Sequence, residues 1–364
     1  MTILLKTDPL NPDRDIVRKA AEILLRHGIV AFPTETVYGL GAVAFYEDAV
    51  RKIFLAKMRP PDNPLIIHIS DLAMLYELSS SIPEVVYLLA KKFWPGPLTI
   101  VLPKSPKVPK VTTGGLEKVA VRMPAHPVAS LLIRETGLPI AAPSANLSGK
   151  PSPTTAQHVI EDLYGRIDAI LDAGETIYGI ESTIIDLTTD PPTLLRPGPY
   201  PVEAIEEAIG RRIMIPDFAR GLGEAEVALA PGVKYRHYAP KSKLILVEGL
   251  GSEKVTDAIN VLLRKLPQDK SVCLALTRET LDALEIHYPL KVFVLGSKNN
   301  AYEIAHNLFK VLRELDREMC DITITEGVEE KGLGLAVMNR LRKASYLRVE
   351  AGRVKSLSFD QITF

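Results

Sequence analysis

The sequence predicts an α/β protein of two domains: a mixed-sheet domain over residues 1–215, a linker over 216–240 and a smaller doubly wound parallel α/β domain over 241–364. Three observations lead there. In the first half, strand-like runs outnumber crossover helices, which favours a mixed sheet over a purely parallel one. Between residues 216 and 240 the periodicity fails, and Gly, Pro and scattered charge take over. After residue 240, strand and helix patterns alternate regularly, as in a small doubly wound sheet.

The elements follow in order. DRDIVRKAAEILLRHG places Ile16, Val17, Ala20, Leu24 and His27 on one helical face and stops at Gly28. IVAFP reads as a buried strand, EDAVRKIFLAKM as a helix, LIIHI as a strand and PEVVYLLAKKFW as a helix with Pro83 in its first turn. LTIVLP and KVAVRMP are strands, HPVASLLIRETG is a helix, and LPIAAPSAN is a strand leaving into a loop. TTAQHVIEDLYG, DAILDAG, STIIDLT, PTLLRPG and VEAIEEAIG complete the first domain. In the second, KLILVEG, SVCLALT, KVFVLGS and DITITEG are strands, with helices around 252–265, 278–285, 299–316 and 335–344.

Composition narrows the function. The chain is 46% hydrophobic and 24% charged with zero formal net charge. It can bury real cores, and it lacks a global electrostatic footprint for nucleic acid, though a local basic patch stays open. No apolar stretch reaches membrane-span length, and MTILLKTDPL lacks a signal-peptide core, so a cytoplasmic location is expected. Cys273 and Cys320 make neither a disulfide framework nor a zinc cluster, and two buried free thiols are expected.

Several segments carry chemistry. In KMRPPDNPLIIHI, Pro60 and Pro61 must end the preceding helix and extend the chain from about Arg59. Lys57 and Arg59 then fall on one side, a cationic pair suited to phosphate, or equally a cationic helix cap. PTETVYGLGA runs from a strand into a small-hydroxyl, glycine-containing turn, where ligands of α/β proteins sit. APSANLSGKPSPT alternates Ser144, Asn146 and Ser148 after a strand, offering convergent donors or an ordinary polar turn. His68 and Arg122 stand in apolar strands, and a buried arginine needs a partner, either an anionic substrate group or a carboxylate side chain. No P-loop, HExxH, CxxC or Ser-His-Asp order occurs. An enzyme without an activated nucleophile works by positioning and electrostatics, as phosphoryl and nucleotidyl transfer do.

Taken in order, PTETVYGLG, KMRPPDNPL, WPGPLT, VRMPAHP, APSANLSG, STIIDL and LLRPG closely resemble the YrdC-like family, and in particular its long two-domain members, the threonylcarbamoyl-AMP synthases. The resemblance extends to the linker PGVKYRHYAP and to GLGLAVMNRL, so it covers essentially the whole chain. It implies an open twisted α/β sheet with a concave basic face, followed by a Rossmann-like domain. It implies that ATP, L-threonine and bicarbonate or carbon dioxide give threonylcarbamoyl-AMP and pyrophosphate. The product would then reach tRNA through a separate transferase complex.

The family's K-x-R and S-x-N tetrad falls on Lys57, Arg59, Ser144 and Asn146, the expected catalytic set. Threonine is expected at Thr36, His68, Arg122, Ala142 and Ser182. ATP is expected at Lys57, Arg59, Asn63, Lys118, Ser144, Asn146, Ser152 and Arg196, with Lys57 and Arg59 countering the charge that develops on the phosphates and Tyr235 and His237 of the linker as a lid over the nucleotide. Mg²⁺ is expected to come with ATP, held by phosphates and water rather than by protein side chains. Two alternatives stand beside this reading: another carbamoyl-transfer enzyme on the same fold, and a double-stranded-RNA-binding module. GLGLAVMNRL is either an anion site at a helix start or a packed helix, and lid regulation and homodimerisation are both open roles for its domain.

Overall fold

The computed structural model describes residues 1–231, 238–249, 251–267, 269–285 and 290–356. It divides into two compact units, Met1–Tyr235 and Arg236–Phe364.

Among the described residues, the first unit is built on strands β1 (Ile3–Lys6), β2 (Val30–Phe32), β3 (Gly39–Val43), β4 (Ile66–His68), β5 (Leu98–Pro103), β6 (Lys118–Arg122), β7 (Ile140–Ala142), β8 (Ala169–Asp172), β9 (Thr183–Asp186) and β10 (Thr193–Arg196). They form one mixed sheet in the order β1-β8-β2-β3-β7-β4-β6-β5-β9-β10. β4 lies parallel to β6 and antiparallel to β7, while β5 lies antiparallel to β6 and parallel to β9.

One face is covered by the helices Arg14–Leu25 and Pro127–Thr136. Val17, Ala20, Ala21 and Leu24 from the first and Val128, Ala129, Leu132 and Ile133 from the second pack with Val30, Phe32 and Leu171. Asp13 fixes the first helix start by accepting from the backbone N–H groups of Asp15 and Ile16. Its expected face holds except at His27. That residue takes a left-handed φ of 61° after the helix and points out to Asp48.

Another cluster joins Ile66, Val101, Ala120, Ile184 and Leu195 to Ala225 and Ala230. The described part of the segment 216–240 is therefore packed chain. It carries a short helix, Asp217–Arg220, and sets Phe218 and Leu229 against this cluster.

The second unit holds β11 (Lys243–Glu248), β12 (Val272–Thr277), β13 (Lys291–Gly296), β14 (Ile322–Glu326) and β15 (Leu347–Glu350). All pairings are parallel, in the order β13-β12-β14-β11-β15. β15 was not expected from its sequence.

The expectation of two free thiols is wrong: Cys273 and Cys320 form a disulfide. Pairing of β12 with β14, Val272 against Ile322, brings the Cα atoms of Cys273 and Cys320 to 5.9 Å, within bridging range.

Candidate active site

The expected site residues meet on the central strands of the first sheet. Thr99 of β5, Arg122 of β6 and His68 of β4 are direct register partners, so a polar row crosses three adjacent strands on one face. The apolar cluster with Ala225 and Ala230 lies on that same face, since Ile66, Ala120 and Val101 are two residues from the row.

Arg122 is buried and held on three sides. Its Nε donates to the Gly96 carbonyl at 3.3 Å and its Nη1 to Thr36 Oγ1 at 2.8 Å. Nη2 lies 2.7 Å from Glu35 Oε1. That approach is an ion pair too far off-axis to be a hydrogen bond, because neither Nη2 nor either Glu35 oxygen has a hydrogen-bond partner.

Directionality follows from the donor inventory. Thr34 donates to the Val37 carbonyl at 2.6 Å, so in its 2.8 Å contact with Thr36 it accepts. Thr36 donates to Thr34 and accepts from Arg122, leaving its remaining lone pair for a ligand.

The turn carrying Thr34–Thr36 is stitched to its neighbours. Tyr38 N–H donates to the Pro153 carbonyl, Ala145 N–H to the Tyr38 carbonyl and Tyr178 N–H to the Glu35 carbonyl. Gly41 is required beneath it, since a Cβ there would stand 2.7 Å from both Phe32 and Ile140.

His68 is buried, with Nδ1 unpartnered. Burial and then the Arg122 guanidinium push it down to about 3, so the ring is neutral near pH 7.

Arg196 donates to the Ser182 carbonyl at 3.1 Å, to Ser182 Oγ at 3.2 Å and to the Pro231 carbonyl at 3.1 Å. Ser182 Oγ also lies 2.8 Å from Thr99 Oγ1. A residue expected at ATP and one expected at threonine thus share a hydrogen bond. Gly198 permits this closeness, since a Cβ there would stand 2.3 Å from the Thr183 nitrogen.

The Lys57 and Arg59 geometry differs from the sequence expectation. The helix Glu47–Lys57 ends with Met58 in left-handed conformation, φ 53° and ψ 42°, so the backbone turns before Arg59 and does not run extended through Lys57. The Lys57 ammonium is buried and donates to the Ser144 and Asn146 carbonyls. Arg59 donates to the Asn63 and Pro64 carbonyls at 3.3 and 3.1 Å. Both cations therefore shape loops.

Ser144 Oγ donates to Asn146 Oδ1 at 2.5 Å, and Asn146 Nδ2 donates to the Leu147 and Lys150 carbonyls at 2.9 and 2.8 Å. The S-x-N turn is a closed hydrogen-bonded unit resting on Lys57.

Ser152 donates to Glu181 at 2.6 Å, and Lys118 pairs with Asp186 at 2.9 Å. Ala142 ends β7 opposite Ile66. Asn63 is buried with Oδ1 unpartnered. Tyr235 and His237 lie outside the described residues.

Sequence reasoning passed over Glu35, Thr99 and Glu181. Glu35 sits inside the quoted PTETVYGLGA segment, but only burial marks it. Among the described residues, the buried side-chain atoms without a hydrogen-bond partner are concentrated here: both Glu35 oxygens, Arg122 Nη2, His68 Nδ1 and Asn63 Oδ1. Buried polar groups left in that state call for a ligand or another stated reason.

Comparison with known proteins gives a consistent result. Residues 22–198 match a family model described as telomere recombination (Sua5, YciO and YrdC), and residues 200–345 match one described as threonylcarbamoyl-AMP synthase, C-terminal domain. The chain is 54% identical to a threonylcarbamoyl-AMP synthase of Pyrococcus abyssi, over 92% of this chain and 95% of the relative. It is 46% identical to one of Bacillus subtilis, over 94% and 96%. A crystal structure of P. abyssi Sua5 complexed with L-threonine matches with a TM-score of 0.89 at 53% identity, covering 96% of this chain and 99% of that one.

Proposed function

The chain belongs to the threonylcarbamoyl-AMP synthase family, and from that premise we propose how its own residues divide the work. The enzyme uses ATP and L-threonine to form threonylcarbamoyl-AMP, with bicarbonate as the proposed source of the carbamoyl carbon and pyrophosphate as the leaving product. Arg122 binds the threonine carboxylate, where a guanidinium offers two parallel donors. Thr36, neutral His68, Ser182 and the Ala142 carbonyl complete the amino-acid pocket. The observation that carries this reading is the buried Thr99–Arg122–His68 row, whose Arg122 Nη2 and His68 Nδ1 atoms have no hydrogen-bond partner.

ATP lies along Arg59, Asn63, Lys118, Ser144, Asn146, Ser152 and Arg196. Lys57 serves by holding the Ser144–Asn146 turn in place. The Ser182–Arg196 contact ties the two subsites, so threonine binding and nucleotide binding should reinforce each other. Mg²⁺ would come with ATP and supply charge neutralisation at the phosphates, and this chain's side chains would not be its main holders. The nearby carboxylates suit that role poorly, as Asp186 is engaged by Lys118 and Glu181 by Ser152. The adenylate is proposed to serve tRNA threonylcarbamoylation in the cytoplasm. Among the described residues no helix is long and apolar enough to cross a membrane.

The RNA-module and carbamoyl-transfer alternatives are not favoured, because relatives matched over more than nine-tenths of the chain carry the synthase name. The test is pyrophosphate release with ATP and bicarbonate, with and without threonine. Release is expected to require threonine; threonine-independent release would reject the reading, and RNA affinity without release would favour the module.

A further inference from the structure

Arg122 and Glu35 form an ion pair buried on both sides, with side chains 4% and 3% exposed. Taking two charges out of water costs several kcal/mol per ion unless good geometry and further hydrogen bonds offset it. Here neither condition is met. The contact is off-axis, and both carboxylate oxygens lack hydrogen bonds although each is shielded from water. A carboxylate can accept at about four lone-pair sites, and Glu35 uses none of them well.

The substrate pocket read above needs a partner for more than a carboxylate. An α-amino acid is a zwitterion, and none of Thr36, His68, Ser182 or the Ala142 carbonyl carries the negative charge that its ammonium requires. Glu35 is the buried acid beside Arg122. It is adjacent in sequence to Thr36, whose hydroxyl already accepts from the same guanidinium. Its backbone is fixed by the Tyr178 N–H bond, so its side chain can move while the turn does not.

We propose that Glu35 receives the α-ammonium of the amino-acid substrate, and that its pairing with Arg122 is exchanged on binding. The substrate carboxylate takes the guanidinium and the substrate ammonium takes the Glu35 carboxylate. Two buried charges of the protein then face two of the ligand in a neutral set of four. The exchange leaves net buried charge unchanged and adds the hydrogen bonds that the protein pair lacks. The three N–H donors of an ammonium match the empty acceptor sites of Glu35. On this account Glu35 distinguishes an amino acid from a hydroxy acid of the same shape. The inference rests on the reading of this pocket as the threonine site.

The test compares binding of L-threonine and of (R)-3-hydroxybutanoate, which keeps the carboxylate, hydroxyl and methyl but lacks the amine. Both are titrated by calorimetry into the full chain as wild type and as Glu35→Gln, with folding checked by circular dichroism. Wild type should prefer threonine, and Glu35→Gln should weaken threonine on the order of 10- to 100-fold, the worth of a hydrogen bond to a charged group, while 3-hydroxybutanoate binds unchanged or tighter. Equal weakening of both ligands, or unchanged threonine binding, would overturn the proposal and leave Glu35 a brace for Arg122. If Glu35→Gln does not fold, wild type alone still decides against it by binding both ligands equally. Wild type that binds no threonine would instead overturn the pocket reading itself.

Discussion

Glu35, in the turn after β2 of the first unit, and Glu326, at the end of β14 in the second, are both buried carboxylates, and their surroundings are opposite. Glu326, the last residue of β14, accepts from Thr277 N–H, Thr277 Oγ1 and Thr280 Oγ1, each at 2.8 Å, and pairs with Lys298 at 2.9 Å. Glu35 follows β2 and has one off-axis cation and no hydrogen bond. Satisfied groups rigidify a fold, while half-satisfied ones are costly and persist where something else completes them. The contrast separates a structural carboxylate from one kept for a ligand, although burial alone ranks them together.

The largest expected effect comes from breaking the Glu35 pair. Arg122→Ala should lose about 3–5 kcal/mol in denaturant unfolding, because it strands a buried charge, and should cut threonine-dependent pyrophosphate release by more than about 100-fold. The double variant Arg122→Leu with Glu35→Leu should recover most of the stability and none of the activity. A stable Arg122→Ala would break the comparison.

Glu326→Gln comes next. It should cost about 2–4 kcal/mol by leaving Lys298 and a donor without their acceptor, with pyrophosphate release per folded molecule unchanged. Lost activity in folded Glu326→Gln would mean that saturation does not mark a purely structural role.

The pH dependence of His68 comes last, because it accrues gradually with pH rather than in a single substitution. Its folded value near 3 lies below the ordinary 6.5, so the unfolded chain takes up the proton first. Its contribution is whole above about pH 6.5 and is lost as pH falls toward 3, at about 1.4 kcal/mol per pH unit. Urea unfolding between about pH 7 and about pH 4 should show a shallower slope for His68→Asn. Identical slopes would show that the ring is not held neutral by its site.

Much of this was legible beforehand, for reasons visible at particular residues. The helix over Arg14–Leu25 announces itself by the Asp13 cap and a clean apolar period. β1 and β15 do not, because each is an edge strand with one buried residue, Leu5 and Val349, so no alternation stands out. The disulfide was hidden because two cysteines 47 residues apart carry no pairing signal until β12 and β14 align. Lys57 and Arg59 were found by motif, but the extended geometry assigned to them gave way to a left-handed Met58.

By itself, then, the sequence determined the two-part α/β architecture, the family and the short motifs that supply polar groups. These are written in local periodicity and in neighbours a few positions apart. Only the tertiary structure decided which groups meet. Arg122 reaches Thr36 across 86 residues, and Arg196 reaches Ser182 because Gly198 lets two backbones touch. Strand register and the closing of hydrogen bonds are set by long-range packing, and a buried atom's lack of a partner can be seen only once every other partner has been placed.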